Sequence, residues 1–400
     1  MPRPDSRAIA VLLTLLVAFG PLSTDLYLPS LPTLVRVFGS DIATVQLTLS
    51  VFLVGFAVSQ LVYGPLSDRF GRRPVLIGGI AVFVVASAAC TLAGSIEQLI
   101  AARFFQALGS CCGPVLGRAV VRDVYGRERA ASVLAYMAMA MALAPAVGPA
   151  IGGYLTVLFG WRTNFVFLTG FGVAILAAVW LMLEETNRRR DPTALMPRRL
   201  VSNYASLARS RTFAGYTLCL AAIYSGMFAF ISGSSFVLIE QFGLSPERYG
   251  MAFGVIVVGF MVGTFSAGRL TRRLGVDRLI GAGSTLSGLC GLAGLGLAVA
   301  RVDHTAAILA PMFGFMIGAG LLMPNAQAGG LGPFPTMAGT ASALMGFTQM
   351  GLAAASGILV GYLQDGTQVP MMASVCVGAL AAAASYRLLI AGRSAAPTPT

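Results

Sequence analysis

Charged side chains stand out in this sequence because they interrupt long apolar segments. Asp25 lies in the first of these segments, within STDLYLPSLP, and Arg103 lies in the fourth, within ARFFQALGSCCG. A charge inside a membrane is costly unless it is paired, hydrated or neutralised, so ionisable residues at such depth are functional candidates. A carboxyl group can bind and release a proton there, whereas an arginine keeps its charge. Asp25 and Arg103 are therefore candidates for proton coupling.

Both residues also have a structural interpretation. At about 1.5 Å per residue, Asp25 lies roughly 25 Å from Ala8 in a membrane core of about 30 Å, so its carboxyl group could reach the outer interface from a helix end. Arg103 lies about 9 Å inward from Glu97, at a comparable depth. It could pair with Asp25, donate to carbonyl groups of the first segment, or extend to the interface as an anchor.

The loop GPLSDRFGRR combines glycines with an acidic residue and three arginines. Glycine permits close helix approach and tight turns, and an aspartate can pair with arginine or accept hydrogen bonds at a helix N-terminus. A basic turn alone would explain the arginines but not the fixed framework of the loop. We expect a polar latch that holds one conformation, formed by Gly64, Asp68, Arg69, Gly71, Arg72 and Arg73.

The fifth apolar segment contains APAVGPAIGGYL. Small residues let a neighbouring helix approach closely, and a proline removes a backbone donor and bends its helix. A purely structural kink is the alternative interpretation. The residues of this motif that we expect to matter are Pro145, Gly148, Pro149, Gly152 and Gly153.

The composition excludes a soluble globule. Of the 400 residues 56% are hydrophobic and 10% are charged, whereas soluble proteins are about 25% charged. Apolar segments of about 18 residues or more recur along the chain and predict twelve membrane spans. They fall near residues 8–28, 44–66, 74–95, 97–121, 130–158, 163–184, 212–239, 247–270, 277–300, 304–327, 335–363 and 368–391.

The net charge of +12 is a signal of membrane orientation. All 27 basic residues are arginines, and 22 of them lie in segments that share one side, among them Arg3, Arg118, Arg188 and Arg393. The opposite loops hold Arg36, Arg162, Arg248 and Arg301. Basic residues stay in the cytoplasm during insertion, so both termini are predicted to be cytoplasmic. Nucleic-acid binding would need one solvent-facing patch and is not expected.

The chain is predicted to consist of two related halves. At an offset of 204 residues, Gly64, Leu66, Arg69 and Gly71 match Gly268, Leu270, Arg273 and Gly275. We therefore expect an N-terminal half at 1–184, a cytoplasmic linker at 185–211 and a C-terminal half at 212–400. Arg272 stands where the first loop has Asp68, so a latch in the second half must be weaker or different.

Four motifs carry a resemblance that covers essentially the whole chain. GPLSDRFGRR resembles the signature loop of the major facilitator superfamily, and APAVGPAIGGYL resembles the Gly-Pro motif of its drug:proton antiporters. ARFFQALGSCCG resembles their arginine motif. STDLYLPSLP, with GPLSDRFGRRPV and VRDVY, resembles the bicyclomycin and chloramphenicol resistance group. The resemblance implies the all-α major facilitator fold, with twelve transmembrane helices in two pseudo-symmetric halves of six.

Residues for a substrate cavity are predicted from their chemistry. Aromatic and methionine side chains suit an adaptable apolar pocket, and a few polar groups can orient a ligand. Each of these residues could instead pack inside the protein or face lipid. The candidates are Tyr27, Gln46, Gln106, Ser110, Tyr136, Met137, Met141, Tyr224, Met227, Phe228, Phe253, Phe347, Gln349 and Met350.

Enzymatic chemistry finds little support in the sequence. His304 is the single histidine, the six cysteines lack metal-type spacing, and no Walker-type loop is present, so we expect no metal, no cofactor and no catalysis. We expect a monomeric, proton-coupled exporter of small, mostly apolar drug-like compounds in a bacterial inner membrane. Its expected partners are the drug, protons and the lipid bilayer. A proton symporter that imports a metabolite, and a non-transporting receptor or scaffold, remain as alternatives.

Overall fold

The computed structural model describes residues 6–125, 127–187 and 190–391, and leaves Arg3, Arg188, Arg189 and Arg393 outside these ranges. The described part contains twelve helical spans long and apolar enough to cross a membrane, which confirms the predicted all-α, multi-pass fold. In chain order, spans 1 to 12 run over Arg7–Phe38, Ile42–Phe70, Arg72–Leu92, Ile96–Val124, Ser132–Phe159, Arg162–Met182, Arg211–Gln241, Pro246–Leu274, Val276–Val299, Thr305–Leu331, Ala338–Tyr362 and Val369–Ile390.

The chain divides into two compact units. The first comprises Met1–Leu200 together with Ser245–Gly254, the start of span 8, and the second comprises Val201–Leu244 and Val255–Thr400. In the first unit, span 3 packs against spans 4 and 6, and span 1 packs against span 5. In the second unit, span 7 packs against spans 11 and 12, and span 9 against span 10. The predicted linker contains a helix of its own at Pro197–Arg209.

Span 1 is a broken helix, and its observed length corrects the predicted one. Helices Arg7–Leu16 and Phe19–Asp25 are followed by a 3₁₀ turn at Leu28–Ser30 and a helix at Leu31–Phe38. The sequence prediction ended this span at residue 28 because two prolines follow. Proline is tolerated in the first turn of a helix, and here both prolines occupy that position. Asp25 therefore lies about 20 Å before the end of the span.

Span 4 is interrupted once and span 5 is continuous. Span 4 consists of helices Ile96–Ser110 and Cys112–Val124. Span 5 belongs to a single helix, Arg127–Phe159, that contains two internal prolines. Gly71 separates spans 2 and 3, and its φ of 105° is strained for any residue with a side chain. Gly275 separates spans 8 and 9 in the same way, with a φ of 82°.

Candidate functional site

Arg103 is a fully buried charged side chain within span 4 that makes three hydrogen bonds. It is 0% exposed, and its Nη1 donates to the Ser23 carbonyl at 2.9 Å and to Gln106 Oε1. Its Nε donates to the Thr48 carbonyl at 3.3 Å. Ser23 is among the last four residues of helix Phe19–Asp25, where carbonyls lack partners within the helix. The break in span 1 therefore supplies oxygen atoms that solvate the buried guanidinium.

Aromatic rings complete the environment of this guanidinium. The Arg103 Cζ lies 4.4 Å from the ring centre of Tyr27 and 4.3 Å from that of Phe52. A cation over an aromatic face gains about 0.5–2 kcal/mol, and more when it is desolvated. The Arg103 Nη2 has no hydrogen-bond partner among the described residues. One donor of the buried cation is thus left for a further acceptor.

Asp25 is buried and lies two residues after Ser23 in the sequence, but its carboxyl group does not pair with Arg103. Its residue surface is 4% exposed, and the described residues contain no ion pair between Asp25 and Arg103. Of the partners considered for Arg103, the structure shows a span 1 carbonyl, that of Ser23, and not the Asp25 carboxylate. The burial of Asp25 argues against a helix-end carboxylate that reaches the interface.

The motif of span 5 packs directly onto the break in span 1. A Cβ atom added at Gly148 would lie 3.3 Å from the Cβ of Asp25, and one at Gly152 would overlap the Leu26 carbonyl. Gly153 faces the backbone of Pro246 within the same unit. The glycines of this motif therefore allow backbone contact at Asp25, which any larger side chain would prevent.

The predicted latch loop is organised around Arg72. Its Nη1 donates to Asp68 Oδ1 and to Ser67 Oγ, each at 2.6 Å, and its Nε donates to Asp123 Oδ2 at 3.0 Å. A guanidinium can serve two carboxylates in this way because its donors form a planar fork. Asp123 connects the loop to the end of span 4. The close helix approach expected at Gly64 is absent, since a Cβ there would meet nothing within 4 Å.

Residues that follow span 6 bind the same loop. The Glu185 carboxylate accepts from the backbone N–H groups of Arg72 at 2.9 Å and Arg73 at 3.2 Å, at the N-terminus of span 3. The Asn187 side chain donates to the carbonyl of Asp68 at 3.1 Å. The Arg73 guanidinium donates to the Trp180 carbonyl at 2.8 Å. A carboxylate at a helix N-terminus satisfies unpaired donors and complements the helix dipole.

Sequence reasoning missed three members of this network. Asp123 lies within VRDVY, a segment used above for family resemblance alone, and Glu185 and Asn187 were assigned to the linker. An acidic pair two residues before a run of arginines is a signal that could have indicated Glu185. Arg69, although part of the predicted latch, lies over the ring of Phe70 at 5.3 Å and forms no ion pair in the described structure.

The corresponding region of the second unit has different chemistry. The Tyr216 hydroxyl donates to Asp277 Oδ1 at 2.6 Å, and the Thr271 hydroxyl bonds to Asn325 Oδ1 at 2.9 Å. Arg272 is exposed. Neutral hydroxyl groups are the donors here and Asp277 is the carboxylate acceptor, whereas in the first unit an arginine donates to two carboxylates.

The predicted cavity residues separate by burial. Seven of them are at most 2% exposed and lie inside their units, namely Tyr27, Gln46, Gln106, Ser110, Met137, Phe228 and Phe253. Tyr27 and Gln106 belong to the surroundings of Arg103, where Tyr27 bonds to Thr48 at 2.8 Å and Gln106 to Ser87 at 2.8 Å. The partly or well exposed candidates are Tyr136, Met141, Tyr224, Met227, Phe347, Gln349 and Met350.

The described residues contain no group of three or more metal-ligating side chains. His304 instead caps span 10, where its Nδ1 accepts from the Ala306 backbone at 3.1 Å. Twelve spans in two units, a broken first span and a buried carboxyl group are features of secondary transporters. This architecture defines the class of protein.

The chain belongs to the Major Facilitator Superfamily, whose family model matches residues 13–358. This membership confirms the prediction of a transporter that is not an enzyme. The Multidrug resistance protein D of Escherichia coli is 32% identical over 87% of both chains. The Chloramphenicol resistance protein of Pseudomonas aeruginosa is 32% identical over 86% of this chain and 81% of its own. A solved bacterial homologue of the lysosomal transporter Spinster has the same fold, with a TM-score of 0.76, 16% identity and 97% coverage of both chains.

Proposed function

We propose that this protein is a proton-coupled antiporter that exports small, mostly apolar drug-like compounds by alternating access. The observation that carries the proposal is the Asp25 carboxyl group, buried at the break in span 1 beneath Gly148 of span 5. The names of the relatives support drug export. The protein acts as a monomer in a bacterial inner membrane.

Proton binding at Asp25 changes the charge at the break in span 1, where this span contacts span 5. A carboxylate in the membrane needs a partner or water, whereas the protonated group does not. Arg103, with one unused donor and a bond to the Ser23 carbonyl, attracts the deprotonated form. Because Gly148 and Gly152 contact Asp25 and Leu26, a shift of the span 1 break moves span 5 with it.

The direction of transport follows from the order of protonation. Protonation from the outer side favours substrate release, and loss of the proton to the cytoplasm resets the site for binding. The arginine-rich ends of the spans, with the latch of Asp68, Arg72 and Asp123, face the cytoplasm under the positive-inside rule. Both termini then share that side. This latch holds one conformation and opens during the cycle.

The substrate contacts are drawn from the partly exposed candidates. Aromatic and methionine side chains with one amide match an adaptable apolar pocket. They are Tyr136 and Met141 on span 5, Tyr224 and Met227 on span 7, and Phe347, Gln349 and Met350 on span 11.

Replacement of Asp25 tests the proposal. Asp25→Asn keeps the size of the side chain and removes the titrating group, so drug resistance of a host lacking its own pumps should be lost while the protein level is unchanged. Asp41→Asn is the matched control, because Asp41 caps span 2 from an exposed position. Full resistance with Asp25→Asn would exclude this residue as the proton site.

Two further variants separate coupling from conformational change. Arg103→Ala should impair proton coupling. Arg103→Lys should restore it in part at most, since an ammonium cannot reproduce the fork of donors. Asp68→Asn should slow the transport cycle without changing substrate affinity. Wild-type turnover in the Asp68 variant would count against the latch.

The alternatives give different results in liposomes under an imposed pH gradient. An antiporter moves drug against the direction of proton flow, a symporter accumulates its substrate with the protons, and a receptor or scaffold moves neither. Accumulation with the proton flow would replace the export proposal by import.

A further inference from the structure

A second arginine lies inside span 4 and is unused by the proposed coupling mechanism. Arg118 was counted above with the cytoplasmic arginines although it lies inside the predicted span 97–121, and the structure likewise places it within helix Cys112–Val124. It precedes the end of this helix by six residues, a distance of about 9 Å along the axis. Its side chain is half-buried. Arg118 is therefore a half-buried cation inside a helical span, where a charge without a partner is costly.

Arg118 lacks partners of the kind that Arg72 and Arg103 have. It makes no hydrogen bond or ion pair with any residue that the structure describes. By contrast, Arg103 is held by carbonyl oxygens and Arg72 by two carboxylates. Arg122, one turn further along the same helix, carries a charge of the same sign. The electrostatic environment of Arg118 thus calls for an acceptor from outside the chain.

The side of the helix that carries Arg118 points away from its neighbour in span 1. Gly113 and Gly117 face the carbonyls of Leu16 and Leu13 in that span. At 100° per residue, Arg118 lies about 140° around the helix from Gly113. Along this side Arg118 is half-buried and Arg122 exposed. The side therefore remains accessible within the first unit.

No carboxylate that the structure describes in the first unit forms an ion pair with this cation. Asp25 is the one acidic residue away from a span end, and it lies in a different part of the unit, packed against Gly148. Asp123, five residues after Arg118, is occupied by Arg72. A positively charged substrate would meet repulsion from Arg118 and Arg122 here.

We propose that Arg118 is a specificity-determining residue that binds an anionic or strongly hydrogen-bond-accepting group of the substrate. This inference rests on the proposed transport function and narrows its substrate class to apolar molecules that carry a carboxylate, phenolate, nitro or similar acceptor. Charge-assisted hydrogen bonds to guanidinium are strong and directional. Lipophilic cations without an acceptor are poor substrates of this protein.

The test uses the full-length protein in everted membrane vesicles, with proton-driven uptake of labelled chloramphenicol, which carries a nitro and an amide acceptor. Arg118→Gln removes the charge and should raise the KM for chloramphenicol about 10-fold, as expected for one charge-assisted hydrogen bond, with little change in maximal rate. Arg118→Lys should give an intermediate KM. Arg122→Gln, an exposed arginine one turn away, should leave the KM unchanged.

The second readout is the inhibition of chloramphenicol uptake by tetraphenylphosphonium, a competing cation with no hydrogen-bond acceptor. It should be unchanged or stronger in Arg118→Gln, because a repulsive charge has been removed. An equal loss of affinity for both compounds, or an unchanged chloramphenicol KM, would overturn the inference and leave the transport proposal intact. If the KM change is present in proteoliposomes with phosphatidylglycerol and absent in proteoliposomes of phosphatidylcholine alone, Arg118 binds lipid headgroups instead. If the wild-type protein transports neither compound with the gradient, the transport proposal itself fails.

Discussion

Gly152→Ala should destabilise the first unit, although alanine is the better helix former. A Cβ at Gly152 would overlap the Leu26 carbonyl, a backbone atom that cannot rotate away. Overpacking of this kind costs about 1–3 kcal/mol, and the gain in helix propensity returns up to about 1 kcal/mol. We therefore expect a net loss of roughly 1–2 kcal/mol. Transport should fall as well, because span 5 must move away from the Asp25 break.

Two other glycines provide graded controls. A Cβ at Gly148 would lie 3.3 Å from the Asp25 side chain, which can adjust by a few tenths of an ångström, so Gly148→Ala should cost less. A Cβ at Gly170 in span 6 would meet nothing within 4 Å, so Gly170→Ala should be neutral or stabilising. Five of the six cysteines are buried and the sixth is partly buried, so the fluorescence of a thiol-reactive dye can follow thermal unfolding. A Gly152 variant as stable as the Gly170 variant would refute the backbone contact.

Three further substitutions test the latch and a helix cap. Glu185→Gln should lower the free energy of unfolding by about 1 kcal/mol, because the carboxylate at the N-terminus of span 3 loses its charge; an unchanged melting temperature at low salt would contradict this. Asp123→Asn should destabilise more than Asp68→Asn, since the Asp123 side chain is 24% exposed and that of Asp68 is 47% exposed; melting temperatures of both variants decide the order. Hydrogen bonds from the Thr44 backbone and hydroxyl hold the pKa of Asp41 below its usual value. The stability from this cap is therefore complete above about pH 4 and lost as the pH falls through the lowered pKa, and Asp41→Asn should remove that dependence of the melting temperature on pH.

The number and positions of the spans could be predicted because hydrophobicity over some twenty residues is a strong signal. Errors arose where local rules compete with packing. The prolines after Asp25 suggested a loop, yet they begin a short 3₁₀ turn and a helix that complete span 1. Arg118 was counted with the cytoplasmic arginines although it lay within the predicted span 97–121, and the structure keeps it inside the helix.

The sequence allowed the residues of the site to be selected, but it did not determine the contacts between them. Asp25, Arg103 and Gly152 could be selected because charge and glycine clusters are unusual in membrane helices. Their contacts depend on which backbone atoms meet, and sequence spacing carries no such information: Arg103 bonds to carbonyls rather than to Asp25. Glu185 was missed for the same reason, since its partners precede it by over one hundred residues.

The chain contains no lysine, and this affects how the surroundings of Arg72 and Arg103 respond to pH. Arg72 and Arg103, like every other basic side chain except His304, are arginines, and guanidinium groups keep their protons at any pH that a cell experiences. Acidification of one side of the membrane therefore leaves these cations electrically constant. In the proposed cycle, the transmembrane pH difference then acts at depth on one carboxyl group set in a background of fixed charge.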